Sequence, residues 1–256
     1  MSSAALLART AAALRAAGCV AAEEEATELV AATGGAGPEL DSLVARRMTG
    51  EPLAWLTGKV RFCGVPLQVH PGVYVPRWQS EALARRAAEH LPERGLAVDL
   101  CTGAGAIAVA LARARPQARV CGTEIDALAA ACARANGVEV FEGDLDLPLP
   151  RAFAAGVDVV TGIVPYVPSE ELRLLPRDVL AFEPRRALDG GREGTELLRR
   201  AVTAAARLLR PGGCLLLELG GDEADLLAPD LDRHGFSLGE LLLDEEGDLR
   251  GIACRR

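Results

Sequence analysis

The stretch Asp99-Leu100-Cys101-Thr102-Gly103-Ala104-Gly105-Ala106-Ile107-Ala108 decides the fold of this 256-residue chain. It joins residues 97–101, which are apolar except for Asp99 and predict a strand, to an alanine-rich segment at 106–114, which predicts a helix. Glycines at such a turn let the backbone approach a ligand closely, and the first turn of the helix offers unpaired N–H groups. The stretch therefore predicts a ligand-binding turn between a strand and a helix of an α/β fold.

Strands and helices alternate from this turn to the C-terminus. Further strands are predicted at 118–124, 138–141, 157–164 and 214–219, followed by two short final strands. Helices are predicted at 80–91, 106–114, 127–136, 194–209 and around 224–232. Strands that alternate with helices form right-handed crossovers and favour a doubly wound parallel sheet.

The chain before this alternation has a different pattern. Residues 4–32, interrupted by Gly18, and residues 40–48 have helical apolar spacing, which predicts a small helical domain at 1–58. Residues 60–75 alternate between apolar and other positions and contain turn signals, so a β-hairpin linker is predicted at 59–76. The alternating helices and strands then occupy 77–256.

The composition excludes several classes of function. With 28 basic and 36 acidic side chains the net charge is −8, and such a chain lacks the clustered cations that grip nucleic-acid phosphates. No apolar run approaches the roughly 18 residues that would span a bilayer. The seven cysteines include no C-x-x-C pair, which argues against a zinc site or a disulfide framework and suits a reducing cytosol. We therefore expect a cytoplasmic protein without a metal centre.

Glu124 ends the strand that follows the glycine turn, 19 residues after Gly105. A carboxylate in that place accepts hydrogen bonds from ribose hydroxyls, which indicates a nucleotide cofactor. The glycine pattern alone leaves the cofactor open, because Gly103, Gly105 and Ala108 also fit the nicotinamide dinucleotide fingerprint. A tight turn without any ligand is a further interpretation.

Two other features favour S-adenosylmethionine over a dinucleotide. Asp99 stands four residues before Gly103, where it can face the cationic amino group of a methionine moiety but would repel a pyrophosphate. Asp144 follows the third strand and can accept a hydrogen bond from an adenine amine, while Leu145 packs against the ring. Asp144 can equally cap a helix or a turn.

The segment Val157-Asp158-Val159-Val160-Thr161-Gly162-Ile163-Val164-Pro165-Tyr166-Val167-Pro168 carries a family resemblance. With it, the chain resembles the PrmC/HemK family, S-adenosylmethionine-dependent methyltransferases that modify the glutamine side chain of peptide release factors. The resemblance runs nearly end to end. Further matching segments are 50–55, 62–67, 72–77, 182–185, 187–191 and 211–213.

The resemblance implies a fold, a cofactor and a site. The fold is that of class I methyltransferases, a Rossmann-like, seven-stranded, mostly parallel sheet, preceded by a helical domain that docks the protein partner. That partner is a peptide release factor with a Gly-Gly-Gln loop. The implied S-adenosylmethionine-binding residues are Arg77, Asp99, Cys101, Thr102, Gly103, Ala104, Gly105, Glu124, Ile125, Asp144, Leu145 and Ile163. The implied catalytic residues are Ile163, Val164, Pro165 and Tyr166.

The chain departs from the family at the catalytic corner. Members of the family carry Asn-Pro-Pro-Tyr, whereas this chain has Ile163-Val164-Pro165-Tyr166. In the family the Asn oxygen and the next backbone carbonyl accept the two N–H bonds of the glutamine amide, aligning its nitrogen and stabilising the charge that develops there. Ile163 has no acceptor atom, and the loss of one such group costs about 10²–10³ in rate. A second departure, Trp78 and Gln79 in place of a proline and a carboxylate, lies near the expected methionine end of the cofactor.

Four functions remain open on the sequence. The first is methyl transfer to the glutamine of a release factor, and the second is methyl transfer to another acceptor, such as a small molecule of specialised metabolism. The third is a pseudoenzyme that binds the cofactor without transferring the methyl group. A nicotinamide-dependent oxidoreductase ranks last.

Overall fold

The N-terminal region of the chain is helical. In the computed structural model, which describes residues 2–244 and 246–256, it forms α1 (Ser3–Ala16), α2 (Ala22–Thr33), α3 (Pro38–Met48) and α4 (Leu53–Thr57). Buried leucines such as Leu14, Leu29 and Leu40 give these helices a core of their own. The ion pair of Arg47 with Glu25, at 2.7 Å, ties α3 to α2. The helices predicted here are confirmed, while the domain boundary at residue 58 stays a prediction.

The hairpin that follows is shorter than predicted. Its strands β1 (Lys59–Phe62) and β2 (Val65–Gln68) pair antiparallel, and residues 69–77 continue as turns and extended chain. Val73 lies there in an apolar cluster with Val69 and Val75, and its carbonyl accepts a hydrogen bond from the indole N–H of Trp55 at 3.0 Å. The alternation that predicted strands at these positions therefore reflects burial rather than pairing.

Seven further strands form one sheet. They are β3 (Leu96–Leu100), β4 (Arg119–Glu124), β5 (Glu139–Glu142), β6 (Val157–Gly162), β7 (Leu209–Glu218), β8 (Ser237–Leu243) and β9 (Leu249–Arg255). Their order is β5-β4-β3-β6-β7-β9-β8. The first five in this order run parallel, and β9 pairs antiparallel with both β7 and β8. The predicted seven-stranded, mostly parallel sheet is confirmed.

Helices cover both faces of the sheet. They are α5 (Glu81–His90), α6 (Ala106–Ala114), α7 (Ala127–Ala135), α9 (Glu196–Leu208) and α10 (Glu223–Arg233). The short helix α8 (Arg177–Phe182) lies in the connection between β6 and α9. One core cluster contains side chains of α9, α10 and the sheet, and a second contains side chains of α5, α6 and the hairpin. Successive strands lead from β3 to β4 and β5 on one side, and the chain then returns to β6 on the other side of β3. Ligands of such sheets bind at the carboxyl ends of the strands where this reversal occurs.

Some bounds differ from those predicted. β7 begins at Leu209 rather than at residue 214, and the two final strands have seven residues each. Pro211 and Gly212 are typical of a turn, so the sequence did not predict that β7 begins before them. In the structure Leu209 already pairs with Val157. In the described ranges, no helix is both long and apolar enough to cross a membrane.

Candidate functional site

The glycine turn between β3 and α6 has a backbone that few side chains allow. Cys101, Gly103 and Gly105 all have positive φ, at 53°, 57° and 86°. At Gly105 a Cβ atom would lie 2.7 Å from Cγ2 of Val138, so both the conformation and the close packing require glycine there. The amide of Thr102 donates to the carbonyl of Thr123 at 3.0 Å, which ties the turn to the end of β4.

Glu124 connects this turn to the loop after β4. Its Oε2 atom accepts from the amide of Gly103 at 2.9 Å, and its Oε1 atom accepts from the amide of Asp126 at 2.9 Å. The residue is only 8% exposed, and this burial raises the pKa of its carboxyl group. A carboxylate oxygen accepts more than one hydrogen bond, so Glu124 retains capacity toward a ligand.

Asp99 lies deeper, beneath the turn. Its oxygens accept from the hydroxyl groups of Thr102, at 2.6 Å, and Thr161, at 2.7 Å. Burial raises the pKa of Asp99 to about 6, although both hydrogen bonds oppose that shift. Asp99 lines a narrow cleft, together with Arg77 and Ile163.

A cavity of about 250 Å³ adjoins this cleft. Of the residues that the sequence predicts for the site, its lining includes Cys101, Gly103, Glu124, Ile125, Ile163 and Pro165. The side chain of Ile125 is 60% exposed, which leaves an aliphatic surface next to the carboxylate of Glu124. A carboxylate for sugar hydroxyls beside an aliphatic surface for a base fits an adenosine group.

Arg77 and Glu183 join two segments that are 106 residues apart in the chain. They form an ion pair, and the carboxylate of Glu183 also accepts from the amide of Val75 at 3.3 Å. The guanidinium of Arg77 lies 5.1 Å from the centre of the Tyr74 ring, within the range of a cation–π interaction. Glu183 is buried, and this burial raises the pKa of its carboxyl group. These contacts hold Arg77 at the cleft that Asp99 lines.

The four residues that follow β6, 163–166, lie in different surroundings. Ile163 lines both the cleft and the larger cavity, and Pro165 lines the cavity. Val164 is buried in the core. The hydroxyl of Tyr166 donates to Glu218 at 3.3 Å, and burial raises the pKa of that hydroxyl.

Three predicted cofactor residues lie away from the cavity wall. Asp144 forms an ion pair with Arg200 of α9, and Leu145 packs in the core with a positive φ of 47°. Neither of them, nor Gly105, is among the residues that line the cleft or the cavity. The contact of Leu145 with an adenine ring stays a prediction, although the side chain of Leu145 packs in the core. Gly105 acts through the backbone of the turn.

The departures at Trp78 and Gln79 do not reach the cleft either. Trp78 is 73% exposed in the short turn before α5, and neither residue lines the cleft. The next residue, Ser80, lines the cleft, and its hydroxyl donates to Glu218.

The sequence prediction missed Tyr74, Arg186 and Glu218. Tyr74 and Arg186 line the cavity, and Glu218 holds Tyr166. Glu218 ends the apolar strand β7 as Glu124 ends β4, and this shared position was a signal that could have identified it. Burial also raises the pKa of the Glu218 carboxyl group.

Three comparisons relate the chain to known proteins. A family model described as "MTS: Methyltransferase small domain" matches residues 67–142. The release factor glutamine methyltransferase of Geobacter sulfurreducens is 39% identical over 201 residues, which are 76% of this chain and 69% of that protein. The 4-amino-L-phenylalanine/4-methylamino-L-phenylalanine methyltransferase of Streptomyces pristinaespiralis is 41% identical over 194 residues, 72% of this chain and 66% of that protein.

A solved structure shares the fold. The ribosomal protein L11 methylase from Lactobacillus delbrueckii subsp. bulgaricus has a TM-score of 0.54 at 15% identity, over 74% of this chain and 84% of that chain. Together with the matching family model, this likeness confirms the predicted methyltransferase fold.

Proposed function

Because the chain belongs to the family of the release factor glutamine methyltransferases, we propose that it transfers the methyl group of S-adenosylmethionine to a nitrogen atom held beside Ile163 and Pro165. The observation that carries this proposal is the 250 Å³ cavity, whose lining extends from Glu124 to these two residues. A nucleotide held at Glu124 therefore shares one cavity with the corner that would hold the acceptor.

The residues around the cavity and the cleft suit the separate portions of the cofactor. Glu124 would accept hydrogen bonds from the ribose, and the exposed side chain of Ile125 would cover the base. In the cleft, Asp99 would face the amino group of the methionine moiety, and Arg77 would face its carboxylate. When bound, S-adenosylmethionine supplies a methyl group already activated on a sulfonium. The chain then has mainly to align the acceptor and to exclude water.

The first acceptor that we propose is the glutamine amide of a peptide release factor, with the helical region at residues 1–58 as its docking domain. This proposal follows the name of the Geobacter sulfurreducens relative, and it implies that the chain acts in the cytoplasm. An amide nitrogen is a weak nucleophile and needs acceptors for both of its N–H bonds. Here the backbone carbonyl of Val164 supplies one acceptor and Ile163 supplies none, so we expect slow transfer to glutamine.

The second acceptor is a small aromatic amine, and Ile163 is the observation that favours it. The lone pair of an aromatic amine is delocalised less strongly than that of an amide, so its nitrogen is the better nucleophile and does not need two acceptors to hold it in line. An aliphatic side chain at the corner is therefore compatible with an aromatic acceptor. The Streptomyces pristinaespiralis relative, by its name, acts on 4-amino-L-phenylalanine.

Binding and transfer measurements test these proposals separately. Calorimetric titration with S-adenosylmethionine and with NAD tests the cofactor, and we expect binding of S-adenosylmethionine only. Transfer of a labelled methyl group is then measured in parallel on a release factor with an intact Gly-Gly-Gln loop, on the same factor with Gly-Gly-Ala, and on 4-amino-L-phenylalanine. Label on the intact factor alone supports the first acceptor, and label on the amine supports the second. Binding of S-adenosylmethionine without label on any of them would favour the pseudoenzyme.

A further inference from the structure

A second groove is lined by Tyr166, the residue that follows Pro165 in the chain. It has a volume of about 550 Å³ and is formed by the segment after β6, the loop after β7 and the start of α10. Tyr166 lines this groove, whereas its neighbour Pro165 lines the cofactor cavity, so consecutive residues of one segment border both spaces. The wall of the groove therefore begins one residue along the chain from the corner where the acceptor nitrogen would lie.

The lining of the groove is acidic and apolar. Its ionisable side chains, apart from Tyr166, are Glu171, Glu193, Asp222 and Glu223, and no lysine or arginine is among the lining residues that the structure describes. Of these four, Glu193 is in an ion pair with Arg199, at 3.7 Å. Leu174 and Leu226 contribute exposed apolar surface at the rim.

Glu223 is the unusual member of this set. It is 8% exposed, yet its Oε2 atom is buried without a hydrogen-bond partner among the described residues. Its negative charge is close enough to Tyr166 to contribute to the raised pKa of the tyrosine hydroxyl. A buried carboxylate oxygen without a partner is unfavourable, and a cation brought next to it relieves this cost.

We propose that this groove binds an ammonium group of the methyl acceptor, with the carboxylate of Glu223 as its principal partner. The other carboxylates of the groove would add a negative electrostatic potential that attracts the cation. The acceptor is then a small amine with two functional ends, a nitrogen that receives the methyl group beside Ile163 and Pro165 and an ammonium group beyond Tyr166. A volume of about 550 Å³ lies in the range of about 300–1,000 Å³ that is typical of small-molecule sites. This inference rests on the proposed methyl transfer and specifies the class of its acceptor.

Two probes that differ only in the charged group test the inference. They are 4-(2-aminoethyl)aniline, which carries the ammonium group, and 4-propylaniline, which has a methyl group in its place. Their affinities are measured by calorimetry on the full chain saturated with S-adenosylhomocysteine. We expect the charged probe to bind at least about tenfold more tightly, as for a hydrogen bond between charged groups.

The variant Glu223→Gln keeps the shape of the side chain and removes its charge. We expect it to lose this advantage, with about tenfold weaker binding of the charged probe and unchanged binding of 4-propylaniline. The control is Glu39→Gln, which removes an exposed glutamate from the first turn of α3 and should change neither affinity. Glu223 also lies in the first turn of its helix, so this control separates an effect on helix stability from an effect on the ligand.

Several results would overturn the inference. These are equal binding of the two probes, binding of neither, or a loss in Glu223→Gln that is the same for both. A chain that fails to bind S-adenosylhomocysteine would instead contradict the proposed methyl transfer. A chain that binds the nucleoside but does not prefer the charged probe would contradict the ammonium site alone.

Discussion

Over the ends of β3 and β4, the carboxylates of Asp99 and Glu124 each receive two hydrogen bonds from the protein. The region beyond β6 and β7 is only partly satisfied: Glu218 at the end of β7 accepts from Ser80 and Tyr166, but two neighbouring groups have no such contacts within the part of the chain that the structure describes. Ile163 presents no polar atom to the cavity, and an oxygen of Glu223 is buried without a partner among the described residues. The two carboxylates of the first region are both held by the protein, whereas the polar groups of the second region are held only in part.

This difference separates what is common to the family from what is particular to this chain. In the proposed function the preorganised region would hold the nucleotide in the same way whatever the acceptor is, because its geometry depends on the glycine turn and Glu124. The region beyond Ile163 would then decide which nitrogen is aligned, and we expect a substitution there to change the acceptor without disturbing the cofactor. We therefore expect substitutions in the two regions to have separable effects.

The largest effect is expected from adding an acceptor atom to the incomplete region. Ile163→Asn supplies the oxygen that the family uses, and we expect it to raise methyl transfer to a Gly-Gly-Gln substrate by about 10²–10³. The measurement is labelled methyl transfer at saturating cofactor, with the dissociation constant of S-adenosylmethionine determined alongside. That constant should stay unchanged.

Ile163→Leu is the matched control, because leucine has the branched shape of asparagine without its acceptor. It should give no gain on the glutamine substrate. If Ile163→Asn gives no gain, or if leucine gives the same gain, the missing acceptor is not what limits transfer, and the chain acts on a different nitrogen.

The next effect concerns the rigidity of the preorganised region. Gly105→Ala adds a Cβ atom 2.7 Å from Val138 at a φ of 86°, while Gly137→Ala adds one at a φ of 87° with no atom within 4 Å. The backbone penalty is about 1–2 kcal/mol in both cases, and overpacking adds about 1–3 kcal/mol at Gly105 only. We expect the free energy of unfolding, from denaturant titration, to fall by about 3 kcal/mol in the first variant and about 1 kcal/mol in the second. Equal losses would show that the turn relaxes around the added atom.

The strands of this fold were predictable where burial and pattern agree. The run at 97–101 is apolar except for Asp99 because a parallel strand is covered on both faces, and it predicted β3 within one residue. The start of β7 was not predictable, since Pro211 and Gly212 disfavour a strand and only the pairing of Leu209 with Val157 places one there. The local preference of Pro211 and Gly212 determined the predicted start of β7, whereas pairing with a distant strand determines the observed one.

In the site, too, positions set by local sequence were predictable and positions set by tertiary contacts were not. Glu124 was predictable because it ends a strand at a fixed spacing from a glycine turn. Asp144 forms an ion pair with Arg200, 56 residues away, and no local pattern contains that contact. Likewise Glu223 borders Tyr166 only because β6 and β7 are neighbours in the sheet.

A smaller effect is expected from Glu124, because only some of the cofactor contacts depend on it. Glu124→Ala removes the acceptor for ribose and frees the amide of Gly103, so we expect more than about tenfold weaker binding of S-adenosylmethionine. Glu139→Ala is the control, since it removes an exposed glutamate of β5 that pairs with Arg119. An unchanged dissociation constant in Glu124→Ala, measured by calorimetry, would exclude Glu124 from the site.

The smallest effect is a pH dependence that arises from Asp99, whose pKa burial raises to about 6. The ionised carboxylate attracts the cationic amino group of the cofactor, and the protonated form does not, so a bound cation lowers this pKa. Affinity is therefore constant well above pH 6 and falls as the pH decreases through 6. Between pH 7.5 and pH 5 we expect a loss of up to about tenfold, because about one tenth of the Asp99 groups remain ionised at the lower pH.

Asp99→Asn distinguishes this carboxylate from Glu124, whose pKa burial also raises. The amide cannot ionise, so the variant should bind S-adenosylmethionine more weakly at pH 7.5, and its affinity should change little between pH 7.5 and pH 5. S-adenosylhomocysteine has the same amino group without the sulfonium, and its affinity for the unsubstituted chain should follow the same pH profile if the amino group is the one that Asp99 faces. A profile seen only with the sulfonium would instead place Asp99 opposite the charged sulfur.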